Sequence, residues 1–319
     1  NGRIPFRCCG VQMTKVFKLV LLLMLAAPPA GAAEVPPLVD AAWLAANLDR
    51  SDLTVLDLQA PKDYARYHVP GAVNAPYGRW RTDAKDPSGP SMLPPIGRLE
   101  DLIGGLGIDN ERTVVIVATG RGAGDLAAAA RVFWTFKVLG HGPVAVLDGG
   151  LMAWAEDRNP LQKGTNGPEP AEYVARPDPE LMLTADRVKV LLEAGGGFVD
   201  ARTEGEFVGL YTGGKEERPG TIPGSRHLPH DWVTEDGSAR LRSADTLTEL
   251  FEARDIPADG DQVHFCHSGN RASLTWFAAY AVLGNGKARL YDGSTMEWAR
   301  RPDLPLDRHI RLCGPDDAC

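Results

Sequence analysis

The stretch VHFCHSGNRAS, residues 263–273, joins an apolar strand to a helical pattern that runs from Ser273 to Leu283. Strands that alternate with helices form parallel sheets, and ligands bind such sheets where a strand ends and the next loop begins. Cys266 stands first in this loop, and Gly269 supplies the backbone freedom that a tight turn requires. The stretch therefore predicts an α/β fold with a cysteine at the ligand-binding edge of a sheet.

The chemistry of this loop follows from its position between a strand and a helix. Backbone N–H groups of such a loop point inward, and together with the helix dipole they stabilise a thiolate. Arg271 adds a permanent positive charge that can hold the loop or bind an anionic substrate. His267 lies next to the nucleophile and either tunes it or faces solvent. We predict that Cys266 attacks an electrophilic sulfur and then carries it as a persulfide. The predicted substrate-binding and loop residues are His267, Ser268, Gly269, Asn270 and Arg271.

Metal and cofactor chemistry is not expected at this site. Cys266 and His267 have no second pair of metal ligands at a useful spacing in the sequence. We therefore predict no metal and no cofactor.

The sequence repeats itself at an interval of 143–144 residues. The matched landmarks are Asp57 with Asp200, Asp148 with Asp292, and Trp154 with Trp298. A Pro-Gly turn also recurs, but at a longer offset, which predicts extra residues between Leu210 and Pro219 in the second copy. Each copy alternates short apolar strands with helical patterns, so we expect two tandem domains, each a mainly parallel sheet with helices on both faces.

The repeat and the composition of the intervening segments set the predicted domain boundaries. Asp40 and Thr184 stand where helix N-caps are expected, one near the start of each domain. A stretch rich in proline and glycine between the copies predicts a linker. The predicted divisions are 1–33 for upstream residues and a signal peptide, 34–157 for the first domain, 158–181 for the linker, 182–308 for the second domain and 309–319 for the tail.

The N-terminal segment has the pattern of a secretory signal. Lys15 and Lys18 precede a short apolar run, and small residues follow it up to Ala33. The run is shorter than the ~20 apolar residues of a spanning helix, so no stable membrane insertion is expected. We predict translation from Met13, cleavage before Glu34 and a periplasmic location.

The net charge indicates which classes of partner the protein can bind, and the cysteines indicate which thiols can pair. A net charge of −8 with no basic block argues against nucleic acid as a partner. In an oxidising compartment Cys313 and Cys319 can close a small disulfide loop. Cys266 is then the unpaired thiol of the mature chain.

The two copies resemble tandem rhodanese domains over residues 38–307. The motifs that carry the resemblance are VDAR with Glu206-Phe207, Ile222-Pro223-Gly224, the Cys266 loop, and Tyr291-Asp292-Gly293-Ser294 through Trp298. The resemblance implies a sulfurtransferase that takes sulfane sulfur from a small anionic donor onto Cys266 and passes it to a thiol or cyanide.

The resemblance also assigns roles within the two copies. The first domain is expected to be inert, because its loop from Ala118 to Asp125 has no cysteine. Arg202 is expected to bind substrate and Asp200 to support the loop. Glu206 replaces an arginine with which relatives bind substrate, and this favours thiosulfate over mercaptopyruvate as the donor.

Two other functions fit parts of the pattern. Cysteine-dependent phosphatases and arsenate reductases use loops with five residues between cysteine and arginine, whereas four separate Cys266 from Arg271. The shorter loop suits a single sulfur atom better than a phosphate. A non-catalytic binding module is the other alternative, and the intact Cys266 loop argues against it.

Overall fold

The computed structural model describes residues 1–3, 5, 35–214 and 216–310. The described residues from Val35 to Ile310 form one compact unit. Among the described residues, no helix has the length and apolar character needed to cross a bilayer. The predicted signal peptide and the predicted pair Cys313 and Cys319 lie outside the described residues.

Two parallel sheets form the framework of residues 38–298. The first has the strand order β1-β5-β4-β2-β3 and the second β7-β6-β8-β9. Every pairing in the two sheets is parallel, as the alternation of strands and helices predicted. The strands are β1 Leu38–Val39, β2 Leu53–Asp57, β3 Val73–Asn74, β4 Thr113–Val117, β5 Val144–Leu147, β6 Gly197–Asp200, β7 Arg226–His227, β8 Gln262–Phe265 and β9 Ala288–Leu290.

Helices cover both faces of each sheet. Successive residues of β4 enter different cores, Val114 and Ile116 on one face and Val115 and Val117 on the other. This is the pattern of a sheet buried on both sides. The helices are α1 Ala41–Asn47, α2 Pro61–Tyr64, α3 Ile96–Gly105, α4 Ala123–Val138, α5 Gly150–Glu156, α6 Ala185–Glu193, α7 Glu204–Phe207, α8 Ala244–Ala253, α9 Asn270–Phe277 and α10 Ser294–Trp298.

Helix α9 differs from the sequence-based expectation at both ends. It begins at Asn270, three residues before the predicted start, and continues as a π-helix over Ala278–Val282. Gly269 precedes it with φ of 77°, a left-handed conformation that favours glycine. Asn270 and Arg271 therefore belong to the first helical turn, and the loop itself is only four residues long.

The two domains share one hydrophobic core. Helices α4 and α9 pack against each other, with Phe133 edge-on to Phe277 at a ring distance of 4.9 Å. The predicted linker is packed along the first domain, where Ala171 N–H donates to the Gly104 carbonyl and Arg176 N–H to the Leu139 carbonyl. The domains are therefore held as one body by core packing.

Candidate active site

Cys266 directly follows β8 and is 1% exposed. Its carbonyl accepts from the Thr295 N–H at 3.0 Å and from the Thr295 hydroxyl at 3.1 Å. The next carbonyl, of His267, accepts from the Met296 N–H at 2.8 Å. The backbone of the nucleophile and its neighbour is thus fixed to the start of α10.

Ser294 closes the loop from the inside. Its hydroxyl oxygen accepts from the N–H groups of Cys266 and Gly269, both at 3.1 Å, and donates to the Tyr291 carbonyl. A Cβ at Gly269 would lie 2.6 Å from Nη1 of Arg131 and 2.9 Å from the Asp292 carbonyl oxygen. This position requires glycine for its backbone conformation and for the closeness of its neighbours.

Helix α9 provides the electropositive side of the loop. The first N–H groups of any α-helix have no intrahelical acceptor, so those at Asn270 and Arg271 are available to an anion. Cys266 lies one turn before them. A thiolate or persulfide on Cys266 is therefore stabilised by backbone N–H groups and by the helix dipole.

Arg271 is paired with an acidic side chain of the same domain. Its guanidinium donates two hydrogen bonds to the Glu206 carboxylate, at 2.7 and 2.8 Å. Burial opposes ionisation of Glu206, but the hydrogen bonds and charge of Arg271 outweigh it and lower the pKa of Glu206 to about 2. The Arg271 guanidinium is thus held by Glu206, and its place among the substrate-binding and loop residues stays a prediction.

Arg202 is also committed to structure. It is 3% exposed, and its guanidinium pairs with the Asp200 carboxylate at 2.6 Å and donates to the Gly220 carbonyl at 2.8 Å. Asp200 also accepts from the Arg202 N–H, which agrees with its predicted role in supporting the loop. A buried guanidinium leaves such partners only at a large cost in free energy, so these contacts hold Arg202 in the framework of the loop, and a role in substrate binding stays a prediction.

The first domain contributes side chains to the second domain's loop. Burial raises the pKa of Tyr77, and its hydroxyl donates to the Asn270 side-chain oxygen. Arg81 donates to the Ser268 carbonyl. The sequence analysis missed both residues, because nothing in the spacing of the first copy connects them to a loop almost 190 residues away.

Asp292 forms the second contact between the domains. Its carboxylate pairs with the fully buried Arg131 at 2.6 Å and accepts from the Leu93 N–H at 2.7 Å. Because Arg131 and Asp292 both border Gly269, this pair from two domains packs directly against the loop.

The inserted segment of the second copy reaches the loop as well. Glu217 is buried, and its Oε1 lies 2.9 Å from Nε2 of His267. The extra length between Leu210 and Pro219 was the signal that something is added here. That this segment provides a carboxylate partner for His267 was not predicted.

Both copies of the repeat match the same known family. The model of the rhodanese-like domain family matches residues 40–157 and again residues 184–301. The chain belongs to the rhodanese family. Each copy is thus a rhodanese-like domain, and the second one carries the cysteine loop.

The relatives match this chain across both of its rhodanese-like domains. Human 3-mercaptopyruvate sulfurtransferase is 32% identical over 283 residues, which cover 87% of this chain and 89% of the relative. Thiosulfate sulfurtransferase of Cricetulus griseus is 32% identical over 284 residues, covering 82% and 91%. The solved structure of SseA from Escherichia coli, a 3-mercaptopyruvate sulfotransferase by its description, matches with a TM-score of 0.71 at 26% identity and covers 82% of this chain and 99% of SseA.

These relatives define the reaction class of this rhodanese. It is a sulfurtransferase with two tandem rhodanese domains. Cys266 is the free cysteine among the described residues, and it occupies the loop in which a sulfur-carrying thiolate is stabilised.

Proposed function

We propose that this rhodanese transfers sulfane sulfur from thiosulfate, or from a similarly compact inorganic anion, through a persulfide on Cys266. The Cys266 thiolate attacks the outer sulfur of the donor, the sulfur–sulfur bond of thiosulfate breaks, and sulfite leaves with the bonding electrons. The observation that carries the proposal is the position of Cys266 one turn before the N-terminus of α9. Backbone N–H groups there stabilise a bound anion and the persulfide that follows.

The choice of donor rests on the charged groups around the loop. Within the described residues, Arg271 pairs with Glu206, Arg202 with Asp200, and Arg131 with Asp292; the last pair is fully buried on its arginine side. Mercaptopyruvate carries a carboxylate, which is best recognised by a further guanidinium in fork geometry. Thiosulfate needs only a compact positive pocket, which the loop N–H groups supply.

The test separates the donor from the chemistry. Incubation with thiosulfate should add about one sulfur atom to Cys266 by mass spectrometry, since persulfide chemistry uses a single thiolate. The specificity constant for thiosulfate should exceed that for 3-mercaptopyruvate. A preference for mercaptopyruvate would contradict the donor, whereas the absence of sulfur on Cys266 with either donor would contradict the mechanism.

A periplasmic location is also proposed, on the sequence of the N-terminal segment alone. The charged, apolar and small-residue order from Lys15 to Ala33 supports export. N-terminal sequencing of the protein purified from its own cells should find Glu34 first. A protein that retains Met13 would contradict export.

A further inference from the structure

We propose that Glu217 and His267 form a proton-transfer pair that serves the acceptor half of the reaction, with Glu217 as the positioning residue. The inference rests on the proposed function, since it concerns the step that follows formation of the Cys266 persulfide. It assigns a role to the inserted segment 210–219.

The first observation is the contact itself. Glu217 Oε1 lies 2.9 Å from Nε2 of His267, and the Arg300 guanidinium lies 3.5 Å from the same oxygen. The Glu217 side chain is 2% exposed, the His267 side chain 26%. A buried carboxylate is stable only with partners, and here its nearest donor is the imidazole that adjoins the nucleophile.

The second observation is how closely the inserted segment approaches this ring. A Cβ at Gly213 would overlap Cδ2 of His267, so only glycine allows the backbone to approach this closely. Arg218, at the end of the segment, donates to the carbonyls of Ala299, Arg301 and Leu304. The segment is therefore anchored to the domain and packed onto the imidazole.

The third observation is a comparison within the chain. Ala118 and Thr119 of the first domain accept from Leu151 and Met152 as Cys266 and His267 accept from Thr295 and Met296. The first domain thus has threonine at the position of His267 and alanine at that of Cys266. It also lacks the inserted residues, since the interval from Asp57 to Pro70 is ten residues shorter than that from Asp200 to Pro223. The cysteine, the histidine and the insertion occur together in one copy and are absent together from the other.

The chemistry follows from the donor and acceptor properties of the pair. A carboxylate only accepts hydrogen bonds, so Nε2 of His267 carries the hydrogen and Nδ1 is the nitrogen that exchanges protons. Thiols attack as thiolates, so an acceptor thiol must lose its proton first. A histidine with a fixed ring, next to Cys266 in the chain and partly open to solvent, is suited to take that proton.

The step balances without an outside oxidant or reductant. The acceptor thiol gives its proton to His267, and its sulfur forms a bond to the outer sulfur of the Cys266 persulfide. The bond between that sulfur and Sγ breaks, and its electron pair stays on Sγ as the Cys266 thiolate. His267 returns the proton to the transferred sulfur, which leaves as the hydropersulfide of the acceptor.

The experiment compares two acceptors on protein already loaded with thiosulfate. An alkyl thiol such as 2-mercaptoethanol needs a base, whereas an aromatic thiol that is already ionised does not. In Glu217→Gln, the ratio of the alkyl-thiol rate to the aromatic-thiolate rate should fall about 10-fold or more, since general acid–base catalysis contributes about 10²- to 10⁴-fold. Rates are normalised to the amount of persulfide on Cys266.

Glu216→Gln is the matched control, because Glu216 is exposed in the same segment and loses the same charge. Gly213→Ala is the second variant, since its methyl group displaces the imidazole and removes no charge. Both Glu217→Gln and Gly213→Ala should lower the ratio, and Glu216→Gln should keep the wild-type value. An unchanged ratio in Glu217→Gln or Gly213→Ala would overturn the proposal. Failure of the wild-type protein to form a persulfide would instead contradict the proposed function.

Discussion

The loop between β4 and α4 in the first domain and the loop between β8 and α9 in the second have the same place in the fold but different hydrogen-bond partners. In the first, the Asp125 carboxylate accepts from the N–H groups of Gly120 and Arg121, at 3.1 and 2.9 Å. The protein's own anion therefore occupies the loop. In the second, the N–H groups of Cys266 and Gly269 donate to the Ser294 hydroxyl instead, and Arg271 stands in the first turn of the helix and pairs with Glu206. A carboxylate of the protein itself thus occupies the loop of the first domain, whereas the loop of the second domain is the proposed site for a bound anion.

The buried aspartates differ in the same manner. Asp57 is bound by the N–H and side-chain amide of Gln59, at 2.8 and 2.9 Å. Asp200 is bound at the equivalent place by Arg202. Burial raises the pKa of Asp57 to about 6 despite the hydrogen bonds of Gln59. A cationic partner thus distinguishes the domain that carries the chemistry from the domain that supports it.

The largest expected effect comes from exchanging the nucleophile between the copies. Cys266→Ser should reduce sulfur transfer by at least about 10³-fold, since it removes the nucleophile itself. Adding Ala118→Cys at the equivalent position should restore nothing, because Asp125 already occupies the loop N–H groups. Persulfide mass and turnover measure both outcomes. Sulfur bound to the thiol introduced in the first domain of the double variant would show that the two loops are more alike than their contacts indicate.

Replacement of the buried aspartate by asparagine should change the free energy of unfolding in opposite directions in the two domains. Asp200→Asn leaves Arg202 buried without its anion and should lower the free energy of unfolding by about 3–5 kcal/mol. A carboxyl whose pKa is higher in the folded state than in the unfolded chain begins to destabilise the fold above the unfolded value, and the destabilisation is complete above the folded value. Asp57→Asn should therefore raise stability at pH 7, by up to about 3 kcal/mol.

Denaturant unfolding at neutral and at mildly acidic pH tests this pair. The gain from Asp57→Asn should shrink as the pH falls from 6 to 3.8 and vanish below 3.8, where the wild-type carboxyl is protonated in both states. Equal losses from both substitutions at pH 7 would contradict the distinction between the two sites.

A smaller effect is expected from the Glu206–Arg271 pair. The pKa of Glu206 is lowered in the folded state, so its contribution is complete above the unfolded value of about 4.5 and is lost as the pH falls towards 2. Glu206→Gln should lower stability at neutral pH by about 2–3 kcal/mol and reduce the acid sensitivity between those values.

Glu204→Gln, an exposed change in the same helix, is the control for Glu206→Gln. Unfolding midpoints over a pH series make the comparison. If Glu206→Gln and Glu204→Gln lost the same small amount, the ion pair would contribute little to the fold.

Much of the framework follows from local sequence. The strands β2, β5, β6 and β8 form at short apolar runs that end in polar turns, which is the local pattern that predicts strands between helices. Asp40 caps α1 through the Trp43 N–H, and Thr184 caps α6 through the Arg187 N–H, as expected for these residue types. These features depend on neighbours within a few positions in the chain.

The partners of the charged side chains could not be predicted in this way. Arg271 and Glu206 are 65 residues apart, and Arg131 and Asp292 come from different domains. The sequence shows the charges but not the distances between them, so it could not predict that Arg271 pairs with Glu206. The start of α9 was also misplaced, because the left-handed turn at Gly269 depends on how closely Arg131 and Asp292 approach it.

The sequence by itself determined the repeat, the α/β class, the family, and Cys266 at the end of a strand, since all of these are written in spacing and residue type. Only the tertiary structure decided that the first domain supplies Tyr77, Arg81 and Arg131 to the Cys266 loop, and that Glu217 reaches His267. The reason is physical. Burial and ion pairing depend on distances through space, and these exist only after segments far apart in the chain have packed together.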